Sequence, residues 1–547
     1  MKRRIIALVL AVVMLFGVTA CGEKRNGTQD AAGLATPLKE GDPKTWLTGE
    51  KRTLTVLTNE GSGGSTYPPA SNDLPFWQFM EEYTNVHIEW EIAPTTGYLE
   101  IINTRLSAGI DLPDIVMVNT LQVGENAGQN GLLVDLSQYW DTCFTKTQAY
   151  WESQGADLLT HISSENGSIY SLCGMTVPTE NQIIFMYNTD WMEKLGAEVP
   201  TTLEEFTDLI YKMDAAGDLN GNGVDDELAL SGGGITELMC ALSTAFNLDV
   251  NPGTYDLFVA DENGVVTDDY TSDNMKNCLT YIHQLYTDRV VDPEICGMNG
   301  NFLSEKLASD RVGVFAYYST YAIIFGQMTD RGIEEPLAEH FTLGKPLASE
   351  HNGNQAYMIR SERALGSPTG ITKECKDVEL ACRWLDTLHA DPHVINVRLY
   401  GIEGEDWVYD ENGEVELIFP EDGSARNIEK KGCGQLPLVD FATKESLIAD
   451  KVQYPWYLEQ YEHLREDYPW VSPSIVHLSL YSEEEDAVIS DVGSDVKGMY
   501  GEHRDKFIKG QLDIEKDWDA YVTSMNKMGL DKLTAAWQSI YDRTTAQ

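Results

Sequence analysis

The sequence is poor in basic residues and lacks the motifs of the common enzyme classes. Its 547 residues contain 39 Lys and Arg against 87 Asp and Glu, so the formal net charge is −48. A chain this acidic, without a basic stripe, argues against a nucleic-acid-binding role. No G-x-S-x-G, H-E-x-x-H, Walker A or G-x-G-x-x-G motif occurs, and the ten His residues form no ligand-spaced cluster. These absences favour a binding protein over an enzyme.

Cysteines and long apolar runs are also scarce beyond the N-terminus. The eight cysteines after Cys21 form no C-x-x-C pair, and a chain of this size needs no disulfide scaffold, so we expect buried free thiols. No later stretch is long and apolar enough to span a bilayer. The length and the 42% apolar content predict two or more domains with substantial cores.

The first 20 residues have the layout of a secretory signal. Cationic residues at positions 2–4 precede an apolar run from 5 to 16, which is too short for a transmembrane helix. The segment Val18-Thr19-Ala20-Cys21 resembles the lipobox of bacterial lipoproteins, with Val in place of the usual Leu. That resemblance implies cleavage before Cys21 and lipid attachment to its sulfur, followed by a flexible tether over 21–50. We expect an extracytoplasmic, lipid-anchored protein; the alternative is a plain secretory signal in which Cys21 has no role.

Strand and helix patterns alternate from residue 51 onward. Residues 53–56 and 86–92 alternate apolar with polar side chains, and helical stretches separate them from each other and from a third strand at 115–118. This βαβαβ order predicts an α/β fold with a mainly parallel sheet. Thr202 with Glu205 predicts a capping box at the start of an amphipathic helix. Asn-Gly pairs at 263–264 and 412–413 predict two hairpin turns.

The acidic segment that begins at Asp218 follows the spacing of an EF-hand calcium loop. Oxygen-bearing side chains occupy positions 1, 3, 5 and 9, Gly223 stands at position 6, and position 7 offers a main-chain carbonyl. Position 12 is Ala229 instead of the usual Glu. The pattern predicts a structural Ca²⁺; the alternative is a metal-free turn rich in Asp and Asn. The candidate ligands from this spacing are Asp218, Asn220, Asn222, Val224 through its carbonyl, and Asp226.

Several short segments share a characteristic order along the chain from about residue 50 to 543. They are Leu112-Pro113-Asp114-Ile115, Tyr187–Trp191 with Gly196, Asp218–Glu227, Leu385 with Tyr400–Trp407, Phe507-Ile508-x-Gly510, Asp517-Trp518-x-x-Tyr521, Gly529, and Gln538-x-x-Tyr541-Asp542-Arg543. In this order they resemble the type-1 extracellular solute-binding proteins of carbohydrate ABC importers. The resemblance is strongest to their LplA-like lipoprotein branch, which is related to the alginate-binding proteins.

The resemblance implies a two-lobed periplasmic-binding-protein-like fold of type II, with the ligand cleft between the lobes. Lobe one is expected over 51–175 with 317–390, and lobe two over 176–316 with 391–547. The implied function is capture of a carbohydrate, such as an oligosaccharide, for the permease subunits of an ABC importer, by a monomer without enzymatic activity. The alginate-binding relatives also use the acidic pair at loop positions 9 and 10, which adds Glu227 to the calcium ligands.

Candidate ligand-binding residues are those that the element order places near the expected cleft. Sugars need flat aromatic faces and polar groups for their hydroxyls, and ligands of open α/β sheets sit beyond the carboxyl ends of the strands. The candidates are Asn59, Trp77, Asn119, Tyr187, Tyr317, Tyr318, Glu403 and Trp407. For each, core packing or turn stabilisation is the alternative. At the level of function, a secreted polysaccharide-active enzyme and a protein on the same fold that binds a peptide or signalling molecule, or acts as a sensor, stay open.

Overall fold

The structure, a computed structural model, describes most of the chain after the N-terminal segment. The described residues are 45–60, 71–153, 159–164, 166–176, 183–249, 257–298, 300–319, 340–359, 364–420, 428–433, 455–471 and 480–545. The expected signal, Cys21 and most of the expected tether lie outside these ranges. Among the described helices, none is long and apolar enough to cross a membrane.

Strands and helices alternate over the described residues. The strands are β1 (Arg52–Asn59), β2 (Val86–Ala93), β3 (Ile115–Met117), β4 (Leu172–Thr176), β5 (Ile183–Asn188), β6 (Leu228–Gly232), β7 (Phe258–Ala260), β8 (Val266–Asp268), β9 (Val312–Tyr318), β10 (Phe341–Leu343), β11 (Met358–Ile359), β12 (Ala364–Ile371), β13 (Trp407–Tyr409), β14 (Val415–Leu417) and β15 (Trp470–Val471). The helices of the first half are α1 (Pro75–Thr84), α2 (Tyr98–Ala108), α3 (Leu121–Gln129), α4 (Trp140–Cys143), α5 (Thr145–Ser153), α6 (Leu159–Ile162), α7 (Thr189–Leu195), α8 (Leu203–Ala216) and α9 (Ile235–Ser243). Those of the second half are α10 (Asp273–Thr287), α11 (Gly300–Ala308), α12 (Val378–Ala390), α13 (Pro392–Tyr400), α14 (Pro455–Asp467), α15 (Glu483–Ile508), α16 (Ile514–Met528) and α17 (Leu530–Thr545).

The first sheet has the strand order β2-β1-β3-β12-β4. Strand β1 runs parallel to β2 and β3, whereas β12 runs antiparallel to β3 and β4. The predicted alternation is visible in the burial of Leu54, Val56, Val86 and Ile88. Helices α1, α2 and α12 contribute apolar side chains to the same core, including Trp384. The sequence prediction of a βαβαβ unit here is confirmed.

The second sheet has the order β10-β5-β9-β6. Strands β6 and β9 are parallel, and β5 pairs antiparallel with both β9 and β10. Apolar residues of β5, β6 and β9 form a second core with α7 to α10, and this core also takes in side chains of the C-terminal helices α15 to α17, such as Trp518 and Trp537. A smaller cluster around Phe315 and Phe341 covers another part of β5, β9 and β10. Two sheets with separate cores give the predicted two-lobed α/β fold.

The packing changes the lobe boundaries that the element order had suggested. Strand β10 lies in the second sheet and Leu347 lies in the second core, so residues around 340–350 belong with lobe two, and not with lobe one as predicted. Conversely, Trp407 and Ile428 are buried in the first core, so residues 391–420 and 428–433 pack with lobe one instead of lobe two. Element order alone could not show this because both stretches pack against strands far away in the sequence.

Several local predictions are confirmed at atomic detail. The Thr202 hydroxyl accepts the Glu205 N–H at 3.1 Å, and the Glu205 carboxylate accepts the Thr202 N–H, which completes the capping box of α8. The two Asn-Gly pairs turn the hairpins β7–β8 and β13–β14, with φ of 79° at Gly264 and 81° at Gly413. Of the cysteines in the described ranges, Cys143, Cys173, Cys240, Cys278, Cys296, Cys375 and Cys382 are free thiols, and all of these but Cys296 are buried.

Candidate functional site

The carboxyl ends of β1 and β3 form one candidate binding edge, in lobe one. The two strands are parallel and adjacent, so Asn59 at the end of β1 and Asn119 just after β3 lie at the same edge of the sheet. Asn119 is exposed and adopts a left-handed conformation with φ of 69°, which Asn tolerates better than most residues. The structure therefore brings together these two predicted residues, and each can present a side-chain amide to a ligand hydroxyl.

Helix α3 starts directly after Asn119 and is held closely against the sheet. The Thr120 hydroxyl caps the helix by accepting the Val123 N–H at 3.2 Å. A Cβ at Gly124 would overlap the Ser171 hydroxyl, and a Cβ at Gly128 would overlap the Tyr170 ring. Glycines at these two positions therefore permit an approach that any larger residue would prevent. This close packing fixes the orientation of the turn that carries Asn119.

The carboxyl ends of β6 and β9 form a second candidate edge, in lobe two. Tyr317 and Tyr318 end β9, are half-buried, and have their rings edge to face with centroids 5.4 Å apart. The Cδ2–Cε2 edge of the Tyr317 ring lies against the backbone that follows β6, where a Cβ at Gly233 would overlap it. The Gly233 N–H also donates to the Ala316 carbonyl at 3.1 Å. The Tyr317 ring is therefore held along one edge by a glycine backbone.

A buried charged cluster supports this second edge. Asp292, whose side chain is 1% exposed, accepts hydrogen bonds from the Lys306 ammonium at 2.6 Å and from the Ser231 hydroxyl at 2.8 Å. Because Ser231 is in β6 and Lys306 is in α11, the cluster ties the end of the strand to the neighbouring helix. Glu237 at the start of α9 is half-buried beside Gly233 and Gly234. The sequence reasoning did not select these residues; the only signal was the glycine run 232–234.

Three of the predicted ligand residues belong to the lobe cores. Trp77 is 3% exposed and packs between Trp90 and Trp384, with ring centroids 4.6 and 6.4 Å away. Tyr187 is fully buried in β5, and this burial raises its pKa well above the ordinary tyrosine value. Trp407 is fully buried and its indole N–H donates to the Gly401 carbonyl at 2.7 Å. Their observed role is packing, and we leave them out of the binding edges.

Glu403, in the loop after α13, belongs to a cluster with His393 of α13 and Tyr83 of α1. Its carboxylate lies 3.6 Å from the His393 ring nitrogen, and partial burial raises the pKa of Glu403. The His393 ring in turn stacks on Tyr83 of α1 with centroids 5.7 Å apart, and burial lowers the pKa of His393. These contacts tie the loop after α13 to helix α1 rather than to the strand ends that carry Asn59 and Asn119.

The segment from Asp218 to Glu227 folds as a tight loop between α8 and β6. The Gly223 N–H donates to the Asp218 carboxylate at 2.9 Å, and the Val224 N–H donates to the Asn222 side chain at 2.7 Å. Gly223, at the position where an EF-hand loop turns sharply, has φ of 86°. The Asp218 and Asn222 side chains therefore accept main-chain N–H groups of the loop, and the sharp turn lies at Gly223 as the sequence spacing predicts.

Some of the oxygen atoms in this loop are suitable ligands for a hard cation such as Ca²⁺, and others already have partners within the protein. Asp218, Asn220 and Asn222 offer carboxylate and amide oxygens, which Ca²⁺ prefers. Asp226 is also paired with Arg311 at 2.8 Å, while the Glu227 carboxylate accepts the N–H groups of Asn220 at 3.1 Å and Asp226 at 2.9 Å. In the part of the chain described, no group of three His, Cys, Asp or Glu side chains is arranged to hold a metal. A site here would therefore depend on amide and main-chain oxygens as well.

Comparison with known proteins settles the family. The family model for the bacterial extracellular solute-binding protein matches residues 59–391, which is more than half of the chain. The chain belongs to this family. The match covers both binding edges, from Asn59 to Tyr318 and beyond.

Two curated relatives match this solute-binding protein over nearly its whole length. The fructooligosaccharide ABC transporter substrate-binding protein FusA of Streptococcus pneumoniae is 24% identical over 98% of this chain and 98% of its own. Lipoprotein LipO of Bacillus subtilis is 21% identical over 86% of this chain and 89% of its own. These values make both proteins distant relatives of similar length.

Solved structures of similar proteins share the fold. The alginate-binding protein AlgQ2, in a form without calcium ion, has a TM-score of 0.74 at 17% identity over 92% of this solute-binding protein and 100% of its own chain. An EF-hand mutant of FusA in complex with fructo-nystose has a TM-score of 0.71 at 20% identity over 90% of this chain and 99% of its own. At these identities the likeness confirms the two-lobed fold and nothing finer.

Proposed function

We propose that this solute-binding protein captures an oligosaccharide between its two lobes and delivers it to the permease subunits of an ABC importer. Membership of the solute-binding family and the full-length similarity to FusA support this proposal. It is carried by the half-buried Tyr317 ring, which lies against the Gly233 backbone at the carboxyl end of a strand. A flat aromatic face of this kind packs against the C–H side of a sugar ring, and the amides of Asn59 and Asn119 can bind hydroxyls.

The proposal includes attachment to the membrane and action as a monomer. Cys21 is expected to carry a lipid after cleavage of the signal, and residues 21–50 would let the folded lobes reach the permease. The similarity to lipoprotein LipO supports this location outside the cytoplasm. The absence of the common catalytic motifs from the sequence favours binding without turnover. If the protein were an enzyme, it would consume the sugar.

The proposal also assigns a structural Ca²⁺ to the loop after α8. Asp218, Asn220, Asn222, the Val224 carbonyl, Asp226 and Glu227 would hold it. The ion would supply positive charge that links the end of α8 to the start of β6, with no role in chemistry. Binding of Ca²⁺ would change the contact between Asp226 and Arg311, because the Ca²⁺ ion and the Arg311 guanidinium would compete for the Asp226 carboxylate.

The deciding experiment is a binding screen of the protein without its signal and tether. Fructooligosaccharides, alginate oligosaccharides and peptides are compared by thermal shift and calorimetry, since a ligand at 100 times its Kd adds about 2.7 kcal/mol of stability. We expect an oligosaccharide to bind. Tyr317→Ala should weaken that binding by roughly tenfold, because the ring face is lost, and Tyr317→Phe should retain it.

Three results would count against the proposal. Binding of peptides but of no sugar would assign the cleft to another ligand class. Release of smaller sugars from the oligosaccharide during the titration would show that the protein is an enzyme. Equal affinity in Tyr317→Ala and Tyr317→Phe, both folded as judged by thermal unfolding, would remove Tyr317 from the site.

A further inference from the structure

Helix α3 of lobe one contacts the start of α15 in lobe two. The Gln122 side-chain oxygen accepts the Tyr481 N–H at 3.0 Å, and the Asn126 amide donates to the Asp486 carboxylate at 3.4 Å. The α3 residues Val123 and Ala127 pack in the first core, whereas Tyr481 and Val488 pack against the second. These two hydrogen bonds therefore join elements that belong to different lobes.

The lobe-two side of this contact is rigidly held. Glu485 is 5% exposed, and its carboxylate accepts hydrogen bonds from the Ser482 N–H at 2.8 Å, the Ser539 hydroxyl at 2.8 Å and the Arg543 guanidinium at 2.6 Å. Because Ser539 and Arg543 lie in α17, they fix the first turn of α15 to the C-terminal helix. Asp486, the next residue, accepts the hydrogen bond from Asn126 of α3.

The lobe-one side is held equally well. Glu125 is 5% exposed and accepts hydrogen bonds from the Ser164 hydroxyl at 2.6 Å and from the Gln129 amide at 2.8 Å. Together with the close approach of Gly124 and Gly128 to the sheet, this prevents α3 from moving independently of its lobe. Any relative movement of the lobes at this point must break or bend the contacts of Gln122 and Asn126.

The contact also lies beside the proposed binding edge. Asn119 precedes Gln122 by less than one helical turn, so the lobe-one edge moves together with the residues that contact α15. We infer that Gln122 and Asn126 form a polar latch with Tyr481 and Asp486 that stabilises the closed arrangement of the lobes. The latch residues act as positioning residues: they need no contact with the ligand to raise its affinity, because they favour the conformer that holds it.

The test combines Gln122→Ala with Asn126→Ala and measures the ligand-free protein by small-angle scattering. We expect a larger radius of gyration than in the wild type, because the open conformer gains population. Glu484→Ala is the matched control, since Glu484 is an exposed acidic residue in the same helical turn as Asp486, and it should leave the radius unchanged. Thermal unfolding of all three proteins verifies that each lobe is folded.

A second measurement rests on the proposed sugar capture. The double variant should bind the oligosaccharide roughly 5- to 150-fold more weakly, as expected for loss of two net hydrogen bonds, and saturating sugar should bring its radius back to the wild-type value. An unchanged ligand-free radius in the folded variant would overturn the latch, whether or not affinity falls. If no sugar binds the wild type but the variant still expands, the latch stands and the proposed ligand class fails.

Discussion

At the scale of single residues, a glycine and a tyrosine far apart in the sequence together make the proposed sugar-binding surface. Tyr317 is half-buried because its ring rests on Gly233, where a Cβ would overlap ring atoms. A side chain at position 233 would push the ring away or force the backbone apart. The position of the Tyr317 ring therefore depends on the absence of a side chain at the end of a different strand.

Gly233→Ala should weaken sugar binding by displacing the Tyr317 ring. We expect a loss of roughly 2- to 10-fold in affinity, the range of one aromatic contact, and a loss of about 1–3 kcal/mol in stability from overpacking. Calorimetry with the identified sugar and chemical denaturation measure the two effects.

The matched control is Gly498→Ala, in the middle of α15. Gly498 is exposed and a Cβ there meets no atom within 4 Å. This change should raise stability by about 0.5–1 kcal/mol, because alanine loses less entropy in a helix, and should leave affinity as it is. Wild-type affinity in Gly233→Ala would show that the Tyr317 ring does not contact the ligand.

The contrast between Trp77 and Tyr317 shows how far sequence reasoning reaches. Both are aromatic residues that the element order places near the expected cleft, Trp77 in α1 and Tyr317 at the end of β9, and the sequence pattern treats them alike. Trp77 is buried by Trp90 and Trp384, whereas Tyr317 stays half-buried because glycine is its neighbour. Local periodicity predicted the strands and helices that carry both residues. Their exposure is decided by contacts between distant segments, which periodicity cannot supply.

At the scale of elements, the loop between α8 and β6 has the conformation that its EF-hand-like spacing predicts. The EF-hand spacing predicted a turn at Gly223, and that residue adopts φ of 86°. The Asp218, Asn220 and Asn222 side chains already accept N–H groups within the loop. A bound cation would therefore add to an existing arrangement instead of creating one.

Chelation should lower the melting temperature of the protein, and added Ca²⁺ should restore it. The reason is that an ion that binds the folded loop and not the unfolded chain stabilises by mass action. Asp218→Ala should abolish this response, because position 1 supplies a carboxylate ligand. Asp225→Ala is the control: it removes the same charge from an exposed position that is not a ligand position, and it should keep the response. Identical melting of the wild type in chelator and in Ca²⁺ would exclude the site.

At the scale of the whole molecule, the proposed lipid anchor at Cys21 would hold the two lobes at the outer face of the membrane. Cys21→Ala should leave the protein unprocessed or release it from the membrane, because the proposed lipid is attached to the Cys21 sulfur. Membrane fractionation and mass spectrometry of the N-terminus measure the outcome, and Ser62→Ala, outside the lipobox, serves as the control. Wild-type protein free in the medium with an unmodified N-terminus would contradict the lipoprotein assignment.

Ligand binding should close the two lobes as nearly rigid bodies. Each lobe has its own sheet and its own core, and the chain passes from β4 in the first sheet to β5 in the second and returns at β12. Separate cores resist deformation, so movement is concentrated in the connections between them. Small-angle scattering with saturating sugar should therefore show a smaller radius of gyration, with the sugar recovered intact. Tyr317→Ala at the same sugar concentration should close less, because fewer molecules are occupied. An unchanged radius in wild-type protein that calorimetry shows to be saturated would mean that the cleft binds its ligand without closing.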